Sequence, residues 1–263
     1  MSDTTDDPAP ADPWARPLFS PGGGDALISF VVFGTDADLL EITTEEHRVD
    51  EVPPGVDAHE LSPEQVLAFF DPPLGALIRE RAPETAELAE DSETAIVVTG
   101  SVTDPPTLDY LRNAIGIATA ALDTGGVGVL DLSTFTLFDP DRWRSTVFEA
   151  DRTLAHRLVS ILSSAGPDNR ADDDADTDRR WVHTRGLRVF GRPDLSIHDV
   201  EPDAFETAIE LVNVLIAQLA RGLVIDDGMT MDVGGELGTL TFVRGGAMDD
   251  PDFNNEHLEI TRS

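Results

Sequence analysis

The chain has 263 residues, of which 51 are Asp or Glu, and its 18 basic residues are all arginine, so it carries a formal net charge of -33 with no lysine at all. The absence of cysteine excludes disulfides, thiolate metal sites and thiol catalysis. The absence of lysine excludes a Walker A lysine, a Schiff base and a lysine-containing kinase site.

A surface this acidic repels itself at ordinary salt, where the Debye length is roughly 8 Å, and is relieved at about 1 M salt, where it shrinks to roughly 3 Å. Carboxylates retain water and cations under those conditions, whereas the apolar stem of an exposed lysine promotes association. The composition therefore predicts a soluble, cytoplasmic, halophilic protein. The start Met1-Ser2-Asp3-Thr4-Thr5-Asp6-Asp7 offers neither a basic region nor an apolar stretch, so no signal peptide is expected. No apolar run approaches the 18 or so residues of a membrane span. Nucleic acid is not an expected partner, because its phosphates would meet a negative surface.

Residues 1–24 are rich in Asp, Pro, Ala and Gly and predict a disordered acidic tail. Residues 26–33 (ALISFVVF) predict a central strand, apolar on both faces. Ser62-Pro63-Glu64-Gln65 predicts a helix start, with a second short helix over 74–81 after Pro72-Pro73. Residues 94–102 predict a buried strand. A helix follows from Asp104-Pro105, with Leu108, Leu111, Ile115, Ala118 and Leu122 on one stripe, and Gly125-Gly126 stops it before a strand over 127–132. A third helix is expected from Arg142, presenting Val147, Leu154, Leu158 and Ile161 to the core. The run Asp172-Asp173-Asp174-Ala175-Asp176 predicts a solvated loop. Trp181 to Phe190 and Asp194 to Val200 predict two strands around the turn Gly191-Arg192-Pro193. Asp203 and Glu206 have the spacing of a capping box ahead of a helix carrying Phe205, Ile209, Val212, Leu215, Ile216 and Leu219. Strands are expected over 223–225, 229–233 and 237–243, and residues 246–263 as an acidic tail. Together these predict an α+β fold, mostly antiparallel sheets packed by about four helices, in a single domain over 25–245 or in two similar-sized halves, 25–140 and 141–245.

The positive charge is concentrated. From Asp141 to Arg192 ten arginines face nine acids, and 179–192 holds five arginines and no acid. Two readings follow. The arginines pair with nearby carboxylates, the aspartate run above all; or His183, Arg185, Arg188 and Arg192 form an anion-binding surface of fork-shaped donors. Strand alternation puts His183 and Arg185 opposite Arg188, so a single pocket requires the strand to bulge. The six histidines show no metal-ligand spacing, so no metal and no cofactor is expected. Glycines 125–128 follow a helix rather than precede one, which is helix-stop chemistry and not a phosphate cradle.

The stretch Thr184-Arg185-Gly186-Leu187-Arg188-Val189-Phe190-Gly191-Arg192-Pro193-Asp194-Leu195, the helix over 203–221 and Asp226-Asp227-Gly228-Met229-Thr230 resemble a group of bacterial and archaeal domains of unknown function. Members of that group carry a "GL..FG.PE" strand pair and a "..DG.T" turn. The helix 107–123 running into Gly125-Gly126-Val127-Gly128-Val129-Leu130-Asp131 is similar to the group's "A..LA..TGG.V.D" block. The resemblance covers roughly residues 26–235, with Asp194 where glutamate is usual and 167–178 as a local insertion. It implies an α+β domain, here a haloarchaeal member, and a binding role without an assigned catalytic residue. The function expected from the sequence is thus a non-catalytic binding or interaction module, whose partner is a protein or an anionic small molecule. The alternative is an enzyme of undetected class acting on an anionic small molecule through His183 or a carboxylate.

Overall fold

The computed structural model describes residues 12, 14–35, 42–149, 155–165, 179–234 and 238–262. The first half builds a five-stranded antiparallel sheet from β1 (Ala26–Phe33), β2 (Val56–Leu61), β3 (Ala95–Val102), β4 (Gly128–Asp131) and β5 (Thr136–Phe138), in the order β2-β3-β1-β4-β5. β1 is central because both its faces are apolar, and successive side chains of a strand point to opposite sides. Ile28, Phe30 and Val32 enter the main core, while Val31 and Phe33 enter a smaller one on the opposite face.

Helices cover both faces. A single turn, α1 (Thr44–His47), precedes β2, and the three short helices α2 (Pro63–Ala68), α3 (Leu74–Arg81) and α4 (Pro83–Glu90) close over the smaller core. The expected start of α2 is present in full: Ser62 Oγ accepts from the Gln65 N–H, and Gln65 Oε1 accepts from the Ser62 N–H. α5 (Asp109–Asp123) packs on the other face and is buried over nearly its whole length. Beside it Trp143, fully buried, donates its indole N–H to Thr119 Oγ1 at 2.9 Å and meets the rings of Phe30 and Phe138 edge-on.

The second half builds a six-stranded sheet. Its strands are β6 (Ser160–Ala165), β7 (Arg180–Arg185), β8 (Asp194–Val200), β9 (Thr230–Gly234), β10 (Gly238–Gly245) and β11 (His257–Arg262), in the order β6-β7-β8-β11-β10-β9. Only the β8–β11 pair is parallel. Two single turns, α6 (Pro140–Trp143) and α7 (Ala155–Leu158), lead into this sheet, and α8 (Phe205–Ala220) lays Val212, Leu215, Ile216 and Leu219 against it. One continuous cluster of buried residues runs from β1 and α5 through Leu187 and Phe190 to Leu195, Phe242, Leu258 and Ile260. The architecture is α+β with two mostly antiparallel sheets, and no helix of the described residues is long and apolar enough to cross a membrane.

Several local expectations are corrected. The stretch 246–263 is no acidic tail, because β11 sits between β8 and β10 with Leu258 and Ile260 buried. Residues 14–24 likewise belong to the body: Trp14 and Arg16 are buried, Leu108 donates to Trp14 O, and Leu18 donates to Arg221 O. The remainder of the expected N-terminal tail, apart from Asp12, lies outside the described residues. The helix expected from Arg142 through Ile161 divides into α6, a π-helical turn over Arg144–Phe148 and α7; Ile161 then lies on β6 opposite Thr184, where alternation and tertiary pairing override helical spacing. Leu154 and the aspartate run 172–178 lie outside the described residues. α8 starts from a 3-10 turn, Pro202–Ala204, with no side-chain cap, so the capping-box spacing of Asp203 and Glu206 is unused. Residues 223–225 form no strand.

Leu258 gives the sharpest test of this topology. Leu258→Ala is expected to cost about 2–5 kcal/mol in urea unfolding, the usual loss for a fully buried leucine. An unchanged midpoint would return the C-terminal residues to a tail.

Candidate anion-binding cleft

Three loops meet at the seam between the sheets and enclose a cleft of about 260 Å³, walled by Ser133, Phe135, Gly186, Arg188, Phe253 and Asn254. Each loop is shaped by a distinct local cause.

The β4–β5 turn is organised by Asp131, whose buried carboxylate accepts from the Ser133 N–H at 2.8 Å, Ser133 Oγ at 2.6 Å and Thr134 Oγ1 at 2.9 Å. Burial pushes the Asp131 pKa up, and these hydrogen bonds pull against it. The turn holds Phe135 at a φ of 55°, a conformation that non-glycine residues adopt at a cost of order 1–3 kcal/mol.

Gly186 ends the strand expected to continue to Phe190. Its φ is 118°, and a Cβ there would come within 2.4 Å of Leu158 O, so only glycine fits. β7 therefore ends at Arg185, and Leu187–Phe190 form a 3-10 turn rather than the second half of a strand. The detour brings Arg185 and Arg188 to the same cleft region, which an extended chain would have kept on opposite faces. Arg185 lies 4.1 Å over the Phe135 ring and donates Nε to Ser133 O at 3.1 Å and Nη1 to Asp252 O at 3.4 Å. Arg188 donates Nη1 to Asn254 O at 2.9 Å and to Met248 O at 3.4 Å. Its Nε is buried without an acceptor, and its Nη2 makes no hydrogen bond among the described residues.

The electrostatics separate these two arginines. Burial lowers the pKa of both, but Asp194, Asp252 and Asp131 act in the opposite sense on Arg185. Among the described residues no charged group offsets burial at Arg188. A half-buried guanidinium thus stands without a carboxylate partner among the described residues.

The third wall, 246–256, is pinned by side chains. Asp250 Oδ1 accepts from the N–H groups of Asp252 and Phe253, and Asn255 Nδ2 donates to Arg192 O at 2.9 Å and Asp194 Oδ2 at 2.8 Å. Asp194 is fully buried; its Oδ1 accepts from Thr184 Oγ1 and the Leu187 N–H, which fixes the start of β8 against the 3-10 turn. Burial pushes its pKa up against these bonds.

The other two candidates stand outside the cleft. Arg192 is 2% exposed and spends its donors on backbone: Nε on Leu223 O, Nη2 on Gly222 O and Nη1 on Gly191 O, at 2.7 to 2.9 Å. It serves the carbonyl end of α8, where a cation is favoured. Burial and neighbouring Arg16 push its pKa down to about 10, against Asp104, so it stays charged near neutrality without facing a ligand. His183 stacks on Trp181 at 3.9 Å and contacts the edge of Phe253 at 5.5 Å, and its buried Nδ1 has no hydrogen-bond partner. It belongs to an aromatic group that the sequence did not reveal: Trp181 also stacks on His198, and Phe253 stacks on His257, beside a second cleft of about 350 Å³. No group of three or more His, Asp or Glu suited to a metal occurs among the described residues.

Pairing with acids accounts for only part of the arginine cluster. Arg179 pairs with Glu201 at 2.9 Å, whereas Arg180 lies over the Phe205 ring. A third cleft of about 330 Å³, between α8 and β8–β11, contains that already paired Arg179, so its size alone does not single it out. No family model, curated protein or solved structure matches the chain.

Burial lowers the His183 pKa from its ordinary 6.5, with Arg185 and His198 adding to the effect and Asp252 opposing it. A depressed folded-state value gives stability that is present above pH 6.5 and lost as pH falls through the folded value. Urea titrations of wild type and His183→Gln between mildly alkaline and mildly acidic pH should therefore diverge below the ordinary histidine range, with wild type losing more. Parallel curves would show that His183 is not held neutral.

Proposed function

We propose that the chain is a non-catalytic binding module that takes a small anionic ligand in the seam cleft, with Arg188 as its charge partner. The supporting observation is the unpaired state of that guanidinium. A partly buried cation without a counter-charge is costly, and an arriving anion would relieve the cost while forming charge-assisted hydrogen bonds worth roughly 1.5–3 kcal/mol each. Arg185 steadies the wall through Phe135 and Ser133. A catalytic reading would need His183 or a carboxylate at the ligand, yet the cleft walls among the described residues hold neither His183, which contacts Phe253 instead, nor an Asp or Glu.

The same proposal makes the protein salt-adapted and cytoplasmic, and its charge and its ligand then fit together. A surface of -33 repels a small anion at long range, and molar salt removes that repulsion while screening a half-buried contact far less. Anion binding should thus persist or strengthen from low to multimolar KCl.

Arg188→Met, compared with Arg192→Met, separates a ligand contact from a structural one. Arg188→Met should leave the unliganded melting temperature unchanged or raised, and should abolish the thermal shift produced by a panel of carboxylates and phosphate. Arg192→Met should destabilise by about 2–5 kcal/mol, because backbone carbonyls lose their buried donors. Equal destabilisation by both, with the anion shift retained in Arg188→Met, would refute the reading.

A further inference from the structure

We infer that the ligand of the seam cleft is an organic monocarboxylate with a compact apolar body, such as an aromatic or branched aliphatic acid, and not a phosphate or polyphosphate. This rests on the binding-module reading and narrows it to a chemical class.

The first ground is the part of Arg188 left unused. Nη1 is occupied by Asn254 O and Met248 O and Nε is shut off by burial, which leaves Nη2 as the nitrogen open to a ligand and without an acceptor among the described residues. Nη2 can donate to an oxygen of a carboxylate, a planar group with a single charge. A tetrahedral phosphate would carry its further oxygens, with their charge, towards a wall of carbonyl oxygens. Asn254 O, Met248 O and Asp252 O already crowd the arginine side of the cleft.

Charge is the second ground. Among the described residues no acid acts on the Arg188 cation, whereas Arg185 is already under the influence of Asp131, Asp194 and Asp252. The site can compensate about one negative charge. A second charge would have no cation to meet, on a protein whose net charge is -33.

The third ground is the rest of the lining. Leu27, Leu132, Phe135 and Phe253 contribute apolar surface to the cleft. Both rings are held in place: Phe135 by Arg185 at 4.1 Å, and Phe253 by stacking on His257 at 4.3 Å. A bare inorganic anion would leave these surfaces in contact with water, while a carboxylate with a hydrocarbon body would cover them. The volume of about 260 Å³ lies below the roughly 300–1,000 Å³ typical of drug-sized ligands, so the body is small.

Calorimetric titration of the full chain in multimolar KCl distinguishes the possibilities, using phenylacetate, 4-methylpentanoate, their neutral primary amides, acetate, inorganic phosphate and pyrophosphate. Phenylacetate and 4-methylpentanoate should bind at least roughly tenfold more tightly than their amides and than either phosphate, and Arg188→Met should erase the difference between acid and amide. Phe253→Leu should weaken phenylacetate more than acetate, a readout that a purely structural role for Phe253 would not give. If a phosphate binds more tightly than every carboxylate and Arg188→Met abolishes it, the carboxylate class is wrong and the anion cleft stands. If no anion binds, or if binding is indifferent to Arg188→Met, both the class and the cleft assignment fall.

Discussion

Four guanidiniums meet backbone carbonyls where the two sheets join, and they bridge loops that Asp131, Gly186 and Asp250 each shape locally. Arg16 donates to Pro105 O and Phe190 O, which ties the N-terminal segment to both halves. Arg192 holds the end of α8 and in turn presents its own carbonyl to Asn255. Arg185 and Arg188 bind the carbonyls of the β4–β5 turn and of 246–256. Carbonyl oxygens are neutral acceptors, so they satisfy the donors while leaving the net positive charge in place. Carboxylates can then remain at the surface, where their hydration is strongest.

That arrangement makes the difference between Arg192 and Arg188 informative. Both are held by carbonyls and both lose hydration through burial, yet Arg192 has a donor on each nitrogen engaged and Asp104 at 3.8 Å, whereas Arg188 has one nitrogen engaged and no acid acting on it among the described residues. A group satisfied on every side is finished as a structural element. A group left with an unbonded nitrogen on the wall of a cleft is suited to an anion, and incomplete satisfaction of this kind is where folds give up stability for binding.

Much of this frame was legible in the sequence. The two-faced strand 26–33, the stripe of α5, the Ser62–Gln65 cap and α8 all carry periodicities strong enough to survive tertiary packing. The arginine cluster was visible too, but the end of its strand at Gly186 was not, because the apolar pattern runs on to Phe190. What periodicity could not convey was long-range. β11 looks like a tail because its neighbours Asp249, Asp250 and Glu256 are acidic, and only its pairing between β8 and β10 gives Leu258 and Ile260 a core to enter. Ser133, Phe135, Phe253 and Asn254 come from segments more than a hundred residues apart, so no local pattern could join them. The nearest local signals were two aspartate turns, Asp131 ahead of Ser133 and Asp250 ahead of Asp252, each with its carboxylate turned back onto following N–H groups. Arg192 read as one member of a basic set because sequence does not distinguish a guanidinium facing solvent from one that serves a helix end.

The most direct measurement of the central claim is a crystal structure of the protein soaked in high salt with a bromine-substituted phenylacetate, whose anomalous signal locates the ring. The account places the bromine between Phe135 and Phe253, with a carboxylate oxygen within hydrogen-bond distance of Nη2 of Arg188. Bromine elsewhere, with that nitrogen of Arg188 still unbonded or turned to an acid of the protein itself, would contradict it.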